Sequence, residues 1–194
     1  MSSQKIFLFR HGENIEAYRG KYVGHLDIPL SEKGRKQAQK INEFISKLKD
    51  PIIITSDLQR TFSGLNYFIM KKEELREINF GKWEGLSWSE IEESFTEEAS
   101  LFLKDIAIFN FPSGESYTNF SKRVIPEFDR VLDKPNENIV FVVHAGVIRA
   151  IISEKFNIPL RKIFNFKVDY GKCTVLERVN GYFNLLSLNE DIWS

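Results

Sequence analysis

Three short apolar runs of the sequence are each followed by basic or imidazole side chains. "IFLF" precedes Arg10 and His11, "IIIT" precedes "SDLQR", which ends at Arg60, and "VFVV" precedes His144. Arginine forms forked hydrogen bonds with phosphate oxygens, and a histidine among cations has a lowered pKa, which leaves a neutral nucleophilic nitrogen near pH 7. Together these residue types predict a site for a phosphoryl group.

His11 is the residue best placed to act as the nucleophile, because it follows the first run on a turn with Gly12, where the backbone can approach a ligand closely. Attack on phosphorus requires an acid that protonates the leaving alkoxide and later deprotonates water, and a carboxyl group with a raised pKa serves both steps. The segment "ELREINFGKWEGLSW" supplies Glu77 and Glu84. Sequence spacing alone does not decide which of the two is the acid.

The elements that must position these side chains follow from periodicity and capping. The apolar runs are predicted strands, "NIVFVV" being the strongest, and Asn180-Gly181 predicts a type I′ hairpin between two β-rich runs. Ser31 is the predicted N-cap of an amphipathic helix. Further helices are predicted over residues 58–69, in several parts of 86–132, and over 144–156.

Alternating strands and helices predict an α/β fold: a three-layer sandwich whose central sheet is mostly parallel and ends in an antiparallel C-terminal edge hairpin. Residues of about 86–132 would form a helical insertion over the active site, within a single domain that spans 1–194. Open α/β sheets bind ligands at the carboxyl ends of their strands, and each of the three predicted parallel strands delivers its polar residues there.

The composition narrows the classes of partner. Twenty-seven basic residues balance twenty-seven acidic ones, so no overall field favours nucleic acid or an anionic membrane. No apolar run is long enough to cross a bilayer. Cys173 is the single cysteine, which excludes an intrachain disulfide and is typical of a reducing, cytoplasmic location. No P-loop, dinucleotide motif or metal-ligand spacing occurs, so neither a metal nor a cofactor is predicted.

The residues above resemble the histidine phosphatase superfamily, with its phosphoglycerate-mutase-like fold. "RHGE", "SDLQRT", "LREINFGKWEG", "PSGES" and "VVHAG" follow one another in that family's order. The resemblance implies metal-free phosphoryl transfer through a phosphohistidine at His11. It implies that Arg10, Arg60 and His144 hold the phosphoryl oxygens, and that Glu77 is the proton donor, since it matches the family's "L-x-E-x-x-x-G".

Within the superfamily the chain is most similar to the α-ribazole phosphatases, through "RHGENIEAYRGKYVGHLDIPLSEKGRKQAQ" and "SGESYTNFSKRV". It departs from the family pattern at Asn14, where Thr or Ser is usual, and at Ala17, where a phosphate-binding Asn is usual. We expect the Asn14 side chain to supply the missing amide. Backbone contacts to phosphate are expected from Gly12, Ala145 and Gly146, although Gly is frequent where Ala145 stands.

The expected function is hydrolysis of a small phosphorylated metabolite, with α-ribazole 5′-phosphate of cobalamin nucleotide-loop assembly as the leading substrate. The alternatives are a broad-specificity or protein phosphatase and, disfavoured because the segment 100–112 offers only Lys104 in place of paired arginines, a phosphoglycerate mutase. A homodimer is left open. One or two aromatic residues are expected to stack on a heteroaromatic substrate: the candidates are Phe80, Trp83, Trp88, Phe102, Phe109 and Phe111.

Overall fold

The fold is organised around one mixed sheet. The structure is a computed structural model and describes residues 3–191. Six strands lie in the order β3-β2-β4-β1-β5-β6, in which β3, β2, β4 and β1 run parallel and β5 and β6 pair antiparallel. The strands are β1 Ser3–Arg10, β2 Ile52–Thr55, β3 Met70–Lys71, β4 Asn138–Val143, β5 Cys173–Val179 and β6 Tyr182–Glu190.

Within residues 3–191, six α-helices accompany the sheet. Ser31 caps α1 by accepting a hydrogen bond from the Gly34 amide, and Ser116 caps α5 in the same way through Asn119. Short 3₁₀ helices lie at Glu16–Tyr18, Glu73–Leu75, Gly81–Trp83 and Leu160–Asn165. The α-helices are α1 Glu32–Ile45, α2 Gln59–Phe62, α3 Trp88–Ser94, α4 Thr96–Lys104, α5 Tyr117–Leu132 and α6 Ala145–Lys155.

Two apolar clusters, one on each face of the sheet, hold the layers together. Successive strand residues point to opposite faces, so Phe7 and Phe9 of β1 pack with Ile41 of α1, whereas Ile6 and Leu8 join the cluster that contains α5 and α6. Burial on both faces explains the continuous apolar runs of β1 and β4. The predicted three-layer α/β sandwich with a mostly parallel sheet is confirmed.

The C-terminal hairpin has the predicted turn. Asn180 and Gly181 have φ of 51° and 87°, the two positive values that a type I′ turn requires, and they join β5 to β6. None of the helices within residues 3–191 is both long enough and apolar enough to cross a membrane.

The helix predicted over 58–69 is wrong for most of its length. Helix α2 ends at Phe62, and Gly64 follows with a φ of 91°, a left-handed conformation that ends a helix. The chain then enters β3, a two-residue edge strand at Met70–Lys71 that the sequence analysis did not predict. Such a short strand carries too little pattern to be recognised.

Much of the segment 86–132 is helical as predicted, although residues 105–116 are not, and its helices differ in location. Phe128 of α5 packs on Phe141 of β4 with ring centroids 5.2 Å apart, so α5 is part of a flanking layer. Phe102 of α4 packs instead on Trp83 of the third 3₁₀ helix. A single insertion with bounds near 86 and 132, and a single domain over the whole chain, stay predictions.

The turn after β1 crosses the start of α1 at very close range. A Cβ on Gly12 would lie 2.2 Å from the Gly34 carbonyl oxygen, and a Cβ on Gly34 would lie 2.1 Å from the Glu13 carbonyl oxygen. The Ser31 amide also donates to the Glu13 carbonyl at 2.9 Å. The two glycines therefore let α1 hold the turn that carries His11.

We expect Gly34→Ala to destabilise the protein by about 1–3 kcal/mol, because its methyl group would overpack a backbone crossing. Helix propensity alone predicts the opposite sign, a gain of about 0.5–1 kcal/mol for Ala over Gly within a helix. Urea unfolding measures the difference. Lys40→Ala, at an exposed position of the same helix, is the control and should change stability by less than about 0.5 kcal/mol. A stabilised Gly34→Ala variant would contradict the steric argument.

Candidate active site

A cavity of about 250 Å³ opens at the carboxyl ends of β1 and β4. Arg10 and His11 line it from the end of β1, and Ala145 and Gly146 line it from the start of α6. Its remaining lining residues include a carboxylate, an amide, two further cations and a ring of aromatic side chains: Glu77, Asn14, Lys21, Arg149, Tyr22, Phe80, Phe102, Tyr117, Phe164 and Tyr170.

His11 is buried and held in one orientation. Its Nδ1 lies 2.7 Å from the Gly12 carbonyl oxygen, which can only accept a hydrogen bond, so Nδ1 carries the proton and Nε2 carries the lone pair. Burial, followed by the charges of Arg60 and Arg10, lowers the pKa of His11 well below its usual value. The imidazole is therefore neutral, with Nε2 free to attack.

Arg10 and Arg60 are held by backbone carbonyls. Arg60, 1% exposed, donates from Nη1 to the Leu26 carbonyl at 2.7 Å and from Nη2 to the Gly24 carbonyl at 2.6 Å. Arg10 donates from Nη1 to the Val168 carbonyl at 2.7 Å. Its guanidinium carbon also lies 3.6 Å from the centre of the Tyr170 ring. Within residues 3–191 the Nε atoms of both arginines are buried without a hydrogen-bond partner.

His144 is the second imidazole of the site and is fully buried. Its ring centroid lies 5.1 Å from that of His11, and its Nε2 lies 2.8 Å from the Ser56 hydroxyl. Burial, followed by the charge of Arg60, lowers the pKa of His144 well below its usual value. Both imidazoles are therefore neutral, and the positive charge of this group of residues belongs to the arginines.

Glu77 lies on the same cavity and is fixed by α6. Its Oε2 accepts a hydrogen bond from the Gly146 amide at 3.0 Å, and its Oε1 accepts one from the Ile78 amide at 3.0 Å. A Cβ on Gly146 would lie 2.1 Å from Oε1, so only glycine lets the carboxylate approach the helix this closely. The Gly146 amide, expected to contact phosphate, is thus engaged by Glu77.

Glu84, the other candidate acid, stabilises a loop through hydrogen bonds to its amides. Its carboxylate accepts hydrogen bonds from the amides of Gly24, His25, Leu26 and Phe80 at 2.8–3.3 Å. Those amides belong in part to the loop whose carbonyls hold Arg60. Glu84 does not line the cavity. The geometry therefore brings Glu77, and not Glu84, to the cavity that His11 lines.

The two departures from the family pattern have different surroundings. Asn14 is 5% exposed and lines the cavity, and its Oδ1 is buried without a partner within residues 3–191. Ala17, by contrast, is exposed in the first 3₁₀ helix and is not part of the cavity wall. Of the two positions, Asn14 is thus the one whose side chain faces the cavity.

Arg123 also stabilises a loop, a role that the sequence did not predict. It pairs with both oxygens of Glu115, at 3.1 and 2.6 Å, and donates to the carbonyls of Glu74, Arg76 and Glu77 at 2.7–2.9 Å. Glu115 in turn accepts from the Asn79 amide at 2.8 Å. Glu115 of the "PSGES" motif thus helps to hold the loop that carries Glu77.

Arg149 and Lys21 are cavity residues that were also missed. Arg149 lies on α6 four residues after Ala145, on the same face of the helix, so helical spacing could have identified it. Its Nε donates to the Phe166 carbonyl at 3.2 Å. Lys21 lies in a loop, and no sequence pattern marked it as a cavity residue. Over residues 3–191 no group of three or more His, Cys, Asp and Glu side chains is arranged to hold a metal ion.

The chain is similar to known phosphatases in sequence and in fold. The chain is 28% identical over 193 residues to phosphoserine phosphatase 1 of Hydrogenobacter thermophilus, covering 95% of this chain and 92% of that one. It is 26% identical to the adenosylcobalamin/alpha-ribazole phosphatase of Escherichia coli, covering 95% of each. A crystal structure of a putative alpha-ribazole-5′-P phosphatase from Escherichia coli superposes with a TM-score of 0.87 at 26% identity and 96% coverage of both chains.

A family model described as the histidine phosphatase superfamily (branch 1) matches residues 6–191. This range includes all the residues that the structure brings to the cavity. It extends from β1 to the end of β6, so the match covers the sheet as well as the site. The chain belongs to the histidine phosphatase superfamily and is a phosphatase.

Proposed function

We propose that the protein hydrolyses a small phosphomonoester through a phosphohistidine at His11. The observation that carries this proposal is the state of the His11 ring: buried, neutral and hydrogen-bonded through Nδ1, so that Nε2 is the reactive atom. Arg10 lines the same cavity, and the charge of the buried Arg60 acts on His11. These two guanidinium groups provide positive charge for a dianionic phosphoryl group.

Two steps complete the reaction. Nε2 of His11 forms a bond to phosphorus as the bond to the leaving oxygen breaks, and the Glu77 carboxyl group gives its proton to that oxygen. Water then attacks the phosphohistidine and loses a proton to Glu77, and the phosphorus–nitrogen bond breaks to release inorganic phosphate. Arg10, Arg60, His144 and the Asn14 amide stabilise the phosphoryl oxygens throughout.

The leading substrate of this proposal is α-ribazole 5′-phosphate. The aromatic side chains that line the cavity, among them Phe80, Phe102 and Phe164, provide faces on which a benzimidazole ring can stack. The similarity to an adenosylcobalamin/alpha-ribazole phosphatase supports the same assignment. A concave cavity of about 250 Å³ also suits a small metabolite better than the surface of a folded protein.

A second candidate substrate is a small phosphorylated acid such as phosphoserine. Arg149 and Lys21 line the cavity, and neither forms an ion pair within 4.0 Å with a carboxylate of residues 3–191. A substrate carboxylate could supply the missing partner. The similarity to phosphoserine phosphatase 1 of Hydrogenobacter thermophilus supports this candidate.

Substitutions separate the roles of the three candidate catalytic side chains. His11→Ala should lower kcat by at least about 10⁴-fold because it removes the nucleophile. Glu77→Gln should lower kcat by about 10²–10⁴-fold, the usual contribution of general acid–base catalysis. Glu84→Gln is the matched control and should lower stability by about 1–3 kcal/mol, since four amides lose a carboxylate acceptor, while the shape of the pH–rate profile is kept. An active His11→Ala variant would overturn the mechanism.

The lowered pKa of His11 predicts a pH dependence with a definite sign. An unperturbed histidine is half protonated near pH 6.5. In the folded protein His11 should stay neutral through this pH, whereas in the unfolded chain it gains a proton. Below about pH 6.5 the unfolded state therefore binds more protons, and stability falls as the pH is lowered until the folded pKa is reached. NMR titration of the imidazole resonances measures the pKa of His11 directly. An ordinary titration midpoint for His11 would contradict the prediction.

Phosphate release from α-ribazole 5′-phosphate and from phosphoserine, with EDTA present, distinguishes the two candidate substrates. Phe102→Ala should lower kcat/KM for the substrate that stacks on aromatic rings, and Arg149→Leu should lower kcat/KM for the one that carries a carboxylate, by about 10–100-fold each. If α-ribazole 5′-phosphate is the substrate, kcat/KM for it should exceed that for phosphoserine and should respond to Phe102→Ala. Equal and slow hydrolysis of both would reject both assignments but not the phosphohistidine chemistry.

A further inference from the structure

Ser56 lies directly after β2, beside the residue that directly follows β4. Both Ser56 and His144 are fully buried, and the Ser56 Oγ lies 2.8 Å from Nε2 of His144. The neighbouring strands β2 and β4 are paired in parallel, so this contact is built on the sheet and not on a loop. Ser56 does not itself line the cavity.

The protons around Ser56 can be counted. The Thr61 hydroxyl has two carbonyl acceptors, Leu58 at 2.8 Å and Ser56 at 3.0 Å, and a carbonyl can only accept, so the Thr61 proton is used there. The Leu58 amide donates to the Ser56 Oγ at 3.3 Å. The Ser56 proton then has two possible acceptors: Nε2 of His144 at 2.8 Å and the Thr61 oxygen at 3.2 Å. If it goes to Thr61, the Ser56 oxygen accepts from an Nε2–H of His144 instead, so the tautomer of His144 decides between the two.

The other nitrogen of His144 favours donation from the Ser56 hydroxyl to Nε2. Nδ1 is buried and has no hydrogen-bond partner within residues 3–191, although its ring lies 5.1 Å from that of His11. A buried donor without an acceptor is costly, and an oxygen of a phosphoryl group on His11 would provide one. The opposite tautomer would turn a lone pair toward negatively charged oxygens.

We propose that the Ser56 hydroxyl donates to Nε2 of His144 and thereby fixes the tautomer whose Nδ1–H is available to the phosphoryl group. Ser56 is thus a positioning residue that acts through His144. The arrangement lets a neutral imidazole donate a hydrogen bond without a gain of charge, which the neighbouring arginines disfavour. This inference rests on the proposed phosphohistidine chemistry, which supplies the acceptor for Nδ1–H.

The test uses ¹⁵N-labelled full-length protein, free of phosphate, and NMR shifts that distinguish protonated from unprotonated imidazole nitrogens. The chain has three histidines, so spectra of His25→Asn and His144→Gln assign the signals. We expect wild-type His144 to be protonated at Nδ1 and unprotonated at Nε2 at neutral pH. Ser56→Ala should give a mixture of tautomers and weaken binding of vanadate by about 10–100-fold, as for other residues that orient a ligating imidazole.

Thr61→Val is the matched control, because it removes a buried hydroxyl from the same group but not the one next to His144. It should leave the His144 tautomer unchanged and vanadate affinity within about twofold, even though the lost hydrogen bond costs about 1 kcal/mol of stability. A wild-type His144 protonated at Nε2, unchanged vanadate affinity in Ser56→Ala, or an equal loss of affinity in both variants would each overturn the proposal. The tautomer is read without turnover, so it can fail while wild-type hydrolysis through His11 persists.

Discussion

The site depends on keeping two guanidinium groups close to two imidazoles without neutralising the guanidinium charge. A buried cation is ordinarily paired with a carboxylate. Here Arg60 donates to the carbonyls of Gly24 and Leu26, and Arg10 donates to the carbonyl of Val168. These carbonyls accept hydrogen bonds from Nη groups but carry no net charge, so the positive potential is left for a ligand. The same charges, together with burial, keep His11 and His144 neutral.

Carbonyls can hold an arginine only if the loops that present them are rigid, and charged side chains provide that rigidity. Glu84 accepts from the amides of the loop at Gly24 to Leu26, and thus fixes the carbonyls that face Arg60. Arg123 donates to three carbonyls of the loop that carries Glu77 and is itself paired with Glu115. Each loop is therefore held by a charge of the sign opposite to that of the backbone groups it binds, in keeping with the strength of charge-assisted hydrogen bonds.

Much of this arrangement could be predicted from the sequence, because strand patterns and the residues that directly follow them are local. The parallel strands β1, β2 and β4, the edge hairpin and the convergence of His11, Arg60 and His144 all follow from such patterns. The helix predicted over 58–69 failed because apolar spacing continued past Gly64, whose left-handed conformation ends α2 early. The loop-stabilising roles of Glu84 and Arg123 were not predicted, for a different reason. These side chains bind backbone groups up to 60 residues away, and no local pattern encodes such contacts.

The residues proposed to carry the reaction and those proposed to select the substrate lie in different parts of the chain. In the proposed mechanism, most residues around the reacting atoms lie at or shortly after strand ends, and Glu77 is fixed to α6 through an approach that only Gly146 permits. Several residues that would contact the rest of a substrate lie elsewhere: Phe102 on α4, Lys21 in a loop, Phe164 in the last 3₁₀ helix. These elements are not constrained by the sheet register, so they can change while the strand ends do not. Similarity to relatives named for different substrates, at 26–28% identity, is the outcome that this separation predicts.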